Sequence, residues 1–318
     1  MSNALWVLVE TRDAVPTDAA LALIAEAGRT GTPVEAVLVA AEPGTVAERA
    51  GAAGASTVHH VPADGRDPEL VAAALAALVA EDAPVAVLAP ANTVGAEALV
   101  RLAAILDTGV ITEVTAVQVA DGVVTGTKSG YGGTRLVHCQ VNGGLPLLTV
   151  RTGGLPAPAE DGPAATVTAH PAPERPARTT LVEFLPTAGD AAALEDARIV
   201  VSGGRAMGGP EGFDVLRELA TALGPTAAVA SSRPPADSGW VPVELEVGIS
   251  GKKVAPDLYL ACGISGASQH LAGMSGSRTV VAINKDPQAP IFTVADFGVV
   301  GDLFELVPAI TAAVRARS

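Results

Sequence analysis

The sequence predicts a two-domain α/β protein: an N-terminal three-layer domain over residues 1–190 with a mostly parallel sheet, and a C-terminal, doubly wound, Rossmann-like domain over residues 191–318. Three observations predict it. A chain of 318 residues is long enough for two cores. Short β-rich runs alternate with helical segments in both halves, the mark of crossover connections and parallel strands. Between the halves lies a Pro-, Ala- and Gly-rich stretch, "GGLPAPAEDGPAA" followed by "HPAPERPARTTLVEFLP".

In the first half the strand-like runs are "ALWVLVE", "PVEAVLVA", "STVHHVP" and "PVAVLAP", with helices over Asp18–Ala27, Glu69–Ala80 and Gly95–Leu106. From Val110 the helices drop out: "VITEVTAVQV", "GVVTGT", "TRLVHCQVN" and "LPLLTVRTG" read as an antiparallel extension of the same sheet. Thr180–Leu185 reads as a strand returning to the first domain, and Thr187–Asp196 as the linker. The second half opens with "ARIVVSGGRAMGG" and a helix over Phe213–Leu223. "TAAVASSRPP", "DLYLACGIS", "TVVAINKD" and "FGVVGDLFELVPAITAAVRA" complete five short strands with helices between them.

Bulk properties remove several function classes. The formal charge is −14, with no cluster of Lys and Arg, which disfavours nucleic acid and anionic membrane surfaces. Aromatic residues are only 3%, so no stacking platform for single strands is expected. Hydrophobic residues make up 49%, yet no apolar run is long enough for membrane insertion. "MSNALWVLVE" lacks the features of a signal peptide, and a cytoplasmic protein is expected. The two cysteines, Cys139 and Cys262, have no metal-ligand spacing and read as buried structural thiols. No G-x-S-x-G elbow, H-E-x-x-H pair or P-loop lysine is present. His59 and His60 are successive residues of a strand and face opposite ways, as do His138 and Cys139. His170, in a Pro-rich segment, is expected to be exposed.

Ligands of open parallel sheets sit beyond the carboxyl ends of the strands. In the second domain four such ends carry small, polar or cationic residues: Gly203-Gly204-Arg205, Arg233, Ile264 to Ser268, and Asn284-Lys285. Paired glycines allow close backbone approach, and amides at helix starts attract phosphate oxygens. A large anionic ligand is the physical reading. His270 stands apart from the other histidines because it directly follows the small-residue turn.

At these residues the sequence resembles the α subunit of electron transfer flavoprotein. The resemblance rests on "LYLACGISGASQHLAGMSGSRTVVAINKDPQAPIF", on the continuation "VADFGVVGDLFELVPAI", and on the upstream "VVSGGRAMGG", "ASSRPPADSGWVP" and "GKKVAPDLY". "NTVGAEALVRLAAILDTGVITEVTAV" extends it over essentially the whole chain.

The resemblance implies a heterodimer with an electron transfer flavoprotein β subunit, which often binds AMP, while the α subunit's C-terminal domain carries most contacts to FAD. Such a carrier accepts electrons from acyl-CoA or other dehydrogenases, as in fatty acid β-oxidation, and passes them toward a quinone oxidoreductase. By motif, FAD is expected on Arg205, Ser232 and Arg233, on the Val247-Gly248-Ile249-Ser250 turn, and on Ser265, Gly266, Ala267, Ser268, Gln269 and His270. Asn284, Asp302 and Leu303 are expected toward the adenosine end. Arg233, Ser250 and His270 are expected to tune the flavin, a nearby cation raising its reduction potential. No catalytic residue and no metal is implied.

The sequence departs from the family at Ile249-Ser250, where Gln-Thr is common, and at Ser268, usually apolar. Other readings of the same residues are a subunit of a bifurcating two-FAD complex, a flavin- or nicotinamide-dependent oxidoreductase acting on its own small substrate, and a nucleotide-binding regulatory module.

Overall fold

The structure, a computed structural model, describes residues 2–131, 135–156, 158–159, 161–173, 182–183, 194 and 197–317. It divides into two compact units, Met1–Lys128 with Leu136–Phe184, and Ser129–Arg135 with Leu185–Ser318.

The first unit begins with β1 (Leu5–Val9), a short hairpin of β2 (Thr11–Arg12) and β3 (Val15–Pro16), then α1 (Asp18–Gly28), β4 (Val34–Val39), α2 (Val46–Ala52), β5 (Thr57–Val61), α3 (Pro68–Glu81), β6 (Ala86–Pro90) and α4 (Thr93–Leu106). It continues through β7 (Val110–Val114), β8 (Ala116–Ala120), β9 (Val123–Gly130), β10 (Arg135–Cys139), β11 (Leu147–Val150) and β12 (Thr166–Ala169). Seven strands form one sheet in the order β12-β5-β4-β1-β6-β11-β7, with every pairing parallel. Strands covered by helices on both faces must be apolar throughout. Accordingly β1, β6 and β11 are buried at every position.

The antiparallel extension expected after Val110 is not built that way. β7 and β11 belong to the parallel sheet, while β8, β9 and β10 form a separate three-stranded sheet in which β8 and β9 pair antiparallel. The burial pattern explains the split. β11 is buried on both faces, whereas β8 and β10 are largely half-buried or exposed. The chain leaves β7 through Glu113, whose φ of 59° is left-handed. β11 holds that kink: the Glu113 amide donates to Thr149 Oγ1 (2.8 Å), and Arg151 Nη2 donates to Glu113 Oε2 (3.0 Å). Gly126 then lets β9 pack onto the main sheet, since a Cβ there would sit 2.7 Å from Val114 Cγ1.

β12 was not foreseen, and it corrects the reading of His170. The strand pairs parallel with β5, and its following residue donates its amide to His60 O (2.8 Å). His170 is therefore half-buried, with Nε2 3.1 Å from His59 Nδ1. His59 Nε2 lies 3.0 Å from Glu35 Oε2, which also accepts from Trp6 Nε1 (2.7 Å). His60 faces the other way and meets Ala40 O (2.9 Å), as alternation requires. The strand expected over Thr180–Leu185 and the linker over Thr187–Asp196 lie outside the described residues, apart from Val182, Glu183 and Leu194.

The second unit contains β13 (Ile199–Gly203), α5 (Asp214–Leu223), β14 (Ala227–Ser231), α6 (Arg233–Asp237), β15 (Leu258–Cys262), α7 (Ser268–Met274), β16 (Thr279–Asn284), β17 (Phe297–Val300) and α8 (Leu303–Arg315). Its sheet is wholly parallel in the order β14-β13-β15-β16-β17. In sequence order this is 2-1-3-4-5, a doubly wound arrangement whose strand order reverses between β13 and β15. α5 buries Leu216, Leu219 and Ala220, spaced three and one apart as a helical stripe requires, against a core that includes Phe213 and Tyr259. Cys262 is fully buried, its thiol pushed up to about 12 by that burial, while Cys139 is only half-buried. Among the described residues no helix is long and apolar enough to cross a membrane, and no group of three or more His, Cys, Asp and Glu is placed to hold a metal ion.

Candidate cofactor-binding site

Beyond the carboxyl ends of the second sheet lies a cavity of about 850 Å³. Its walls come from the segments that follow β13, β14, β15 and β16, so four strand ends converge on it. The backbone at the switch point is tightly fitted. The Gly204 amide donates to Cys262 O (2.9 Å), and a Cβ on Gly204 would stand 2.1 Å from Gly263 O. After β15 the chain turns through Gly263 (φ 64°) and Gly266 (φ 85°), left-handed positions that suit glycine.

Three turns at this edge start without a side-chain cap. The 3-10 turn Arg205–Met207 begins at Gly204, α6 at Ser232 and α7 at Ala267, and none of these residues closes the first turn with its side chain. First-turn amides have no intrahelical acceptor, so such starts suit oxygen-rich, anionic ligands. Two arginines add charge. Arg205 is exposed and has no ion-pair partner among the described residues. Arg233 Nε donates to Asp237 Oδ2 (3.1 Å), but both side chains are more than 60% exposed, so the pair is worth at most about 1 kcal/mol.

Of the residues singled out in the sequence, Arg205, Ser232, Arg233, Val247, Gly248, Ile249, Ser250, Ser265, Ala267, Gln269, His270 and Asn284 line this one cavity. Four others do not. Gly266 packs against the Pro290–Ile291 backbone. Ser268 is exposed and donates to its neighbour Gln269 Oε1 (3.3 Å). Asp302 caps α8, accepting from the Phe304 amide (2.8 Å), and pairs with Lys285 (2.9 Å), whose bond holds its carboxyl below the usual range. Leu303 is core.

His270 is fixed as a neutral ring. It is 6% exposed, its Nδ1 lies 2.9 Å from Val247 O, and its Nε2 lies 3.1 Å from Tyr259 Oη. The carbonyl requires a proton on Nδ1, so Nε2 accepts from the tyrosine. Burial lowers the His270 pKa to about 4, against the small raising effect of the Val247 carbonyl. In this structure the imidazole orders the Val247–Ser250 turn and carries no charge at neutral pH. Cationic charge on the cavity comes from Arg205 and Arg233.

Sequence reasoning missed Glu246, which is 4% exposed, lines the cavity and accepts from Ser250 Oγ (2.6 Å). It sits among the alternating acids of "VELEV" and carries no distinguishing signal. It also missed Asp237, although the four-residue spacing Arg233–Asp237 was a readable pair.

The residues from 193 to 275, which hold most of this cavity, match the family model "Electron transfer flavoprotein FAD-binding domain", and residues 5–175 match "Electron transfer flavoprotein domain". The chain belongs to the electron transfer flavoprotein α subunit family. Its similarity to curated members runs end to end. It is 41% identical over 324 residues to the electron transfer flavoprotein subunit alpha of Mycobacterium leprae, covering 100% of this chain and 99% of that one. The Mycobacterium tuberculosis protein of the same name is 43% identical over 318 residues, covering 98% of each. That of Bacillus subtilis is 40% identical over 235 residues, 74% of this chain and 72% of its own.

The cavity fits the cofactor that the family implies. Uncapped turns and the cationic charge of the cavity meet the needs of an anionic dinucleotide. Ser232, Ser250, Ser265 and Asn284 offer neutral polar groups, and Asn284 is oriented by donating from Nδ2 to Ile264 O (2.9 Å).

Proposed function

We propose that this chain is the FAD-binding subunit of a heterodimeric electron carrier, with the division between its domains at residues 190 and 191. The observation that carries the proposal is the convergence of uncapped turns, Arg205 and Arg233 on one cavity within the stretch matched by the FAD-binding family model. Bound FAD supplies reversible storage of electrons taken from one protein and given to another.

The chain's own residues bind and tune. Amides of the turns after Gly204, Ser232 and Ala267, with Ser265, hold the pyrophosphate. Asn284 extends the site toward the adenosine end, and Asp302 and Leu303 support that end from the start of α8. Arg233 places positive charge beside the ring system, where it favours the electron-rich state, and Asp237 moderates that charge. Ser250, ordered by Glu246, offers its oxygen to the ring edge.

The partner in this reading is a β subunit holding AMP. The donors are acyl-CoA or other dehydrogenases, the acceptor is a quinone oxidoreductase, and the setting is the cytoplasm.

Co-purification with the β subunit, followed by counting flavin and AMP, tests the proposal. One FAD and one AMP per heterodimer are expected. Two FAD would make the complex a bifurcating one, and no flavin would overturn the reading.

A further inference from the structure

The second unit's cavity holds a buried acid that the binding of an anion does not explain. Glu246 is 4% exposed and lines the cavity, so a carboxylate stands beside a site otherwise equipped for negative charge. Burial disfavours a charged carboxylate, and added negative charge nearby disfavours it further.

The backbone dictates its position. Glu246 leaves the 3-10 turn Val243–Leu245, its amide donating to Val243 O (3.0 Å) and its carbonyl accepting from the Lys252 amide (2.7 Å). The Val247 amide donates to Ser231 O (2.8 Å), which ties the segment to the end of β14. Gly251 folds the loop onto it, since a Cβ there would stand 2.3 Å from Glu246 O and 2.8 Å from Glu246 Cγ. One carboxylate oxygen is committed, because Ser250 Oγ donates to Oε1 (2.6 Å). Oε2 has no hydrogen-bond partner among the described residues.

No cation neutralises it. The other titratable groups that line the cavity are Arg205 on the turn after β13, Arg233 and Asp237 on α6, His270 on α7 and Asp286 after β16. Lys252, half-buried, and Lys253, exposed, lie on the loop of Glu246 itself. Arg205 and Asp286 are exposed, Arg233 pairs with Asp237, and His270 is neutral on the Val247 carbonyl. Among the described residues Glu246 forms no ion pair. A buried, unpaired charge feels an added charge far more strongly than exposed ones do. The first unit has a comparable cavity, of about 600 Å³, over the ends of β1, β4 and β5. Its carboxylates are exposed or already engaged, Glu10 by Asn92 Nδ2 (2.8 Å) and Asp64 by Arg66 (3.0 and 3.2 Å).

We propose that Glu246 takes up a proton when the bound cofactor is reduced, which couples electron transfer in this carrier to pH. The inference rests on the reading of the cavity as a FAD site. Two electrons delivered by a donor dehydrogenase leave added negative charge in the cavity. One proton from solvent then bonds to Glu246 Oε2, while the Ser250 bond to Oε1 stays intact. The proton returns to solvent when the electrons pass to the acceptor.

Redox titrations of the FAD-loaded heterodimer over a range of pH, read from flavin absorbance, test this beside Glu246→Gln, which keeps the size of the side chain and an acceptor for Ser250. In the pH window where the carboxyl is ionised before reduction and protonated after it, the wild type is expected to take up one proton more per two electrons than the variant. Each tenfold change in proton concentration then moves the wild-type potential about 30 mV further than that of the variant. Infrared difference spectra, reduced minus oxidised, are expected to show a protonated-carboxyl band in the wild type and none in the variant. Parallel lines of potential against pH overturn the proposal even where the variant's potential is displaced, because a fixed charge does that. Where the variant holds no flavin, the wild-type infrared spectrum decides, and a missing carboxyl band overturns the proposal. In all these outcomes the wild type carries flavin; a wild-type heterodimer without it overturns the FAD reading, and this inference with it.

Discussion

The two units carry the same device, a parallel sheet with a cavity at its carboxyl edge, and equip it in opposite ways. In the first unit, Thr17, Asp67 and Asn92 close the helix starts with their own side chains, and the polar lining is mostly carboxylate. In the second, Gly204, Ser232 and Ala267 leave the starts uncapped, and Arg205 and Arg233 stand beside them. The fold supplies the location, and the residue at the N-cap decides which charge that location accepts. A capping side chain stabilises its helix by about 1 kcal/mol, and an uncapped start forgoes that stability and leaves its first-turn amides open to an anion.

Closing an open start is the most direct way to break the contrast. Ala267→Asp puts a cap and a carboxylate on the second cavity. At about 4 Å from a phosphate, with an effective dielectric near 20, that charge costs about 4 kcal/mol. Flavin affinity should fall at least a hundredfold while the flavin-free chain melts higher. Retention of flavin by this variant, followed by its absorbance, would falsify the contrast.

Next in size is the pH dependence that His270 imposes. Its folded pKa, about 4, lies below the ordinary histidine value of 6.5, so the unfolded chain binds the extra proton first. The corresponding stability is fully present above about pH 6.5 and is lost as pH falls toward 4, amounting to roughly 3 kcal/mol. Urea titrations across this window should show the slope in the wild type and a shallower one in His270→Gln. Equal slopes would place the acid sensitivity elsewhere.

Arg233→Ala should lower the flavin reduction potential by about 30 mV, equivalent to ~1.4 kcal/mol for two electrons. Asp237→Asn should shift it the other way by less, because the pair is exposed. An unchanged redox titration for Arg233→Ala would remove it from the cofactor's surroundings. On the closed side of the contrast, Asn92→Ala should cost about 1 kcal/mol of stability and leave flavin content untouched. Ser268→Ala, outside the cavity, should change neither measurably.

The sequence made the parts with a strong local signal legible. Thr17, Asp67-Pro68 and Asn92 announce helix starts within a residue or two, and the apolar runs mark the central strands. The second unit's cavity was legible because its lining residues cluster at strand ends, where topology gathers them. What stayed hidden depends on pairing. Nothing in "LPLLTV" says that β11 inserts between β6 and β7, because an apolar run fits either direction of a sheet. β12 is exposed at all four positions and lacks an apolar signature. His270 was expected to tune the flavin, and nothing in its spacing says that Tyr259, eleven residues earlier, occupies its second nitrogen. The first unit's cavity left no motif because its acids come from three separate loops.

Asn92 ties two features of the first unit together. One amide side chain both closes α4 through its oxygen and holds Glu10 through its nitrogen. Exchanging it removes the cap of α4 and, at the same stroke, one of the contacts that hold Glu10. Opening that crevice takes coordinated replacement at positions 10 and 92. The acidic character of the crevice is thereby tied, through one side chain, to the stability of α4.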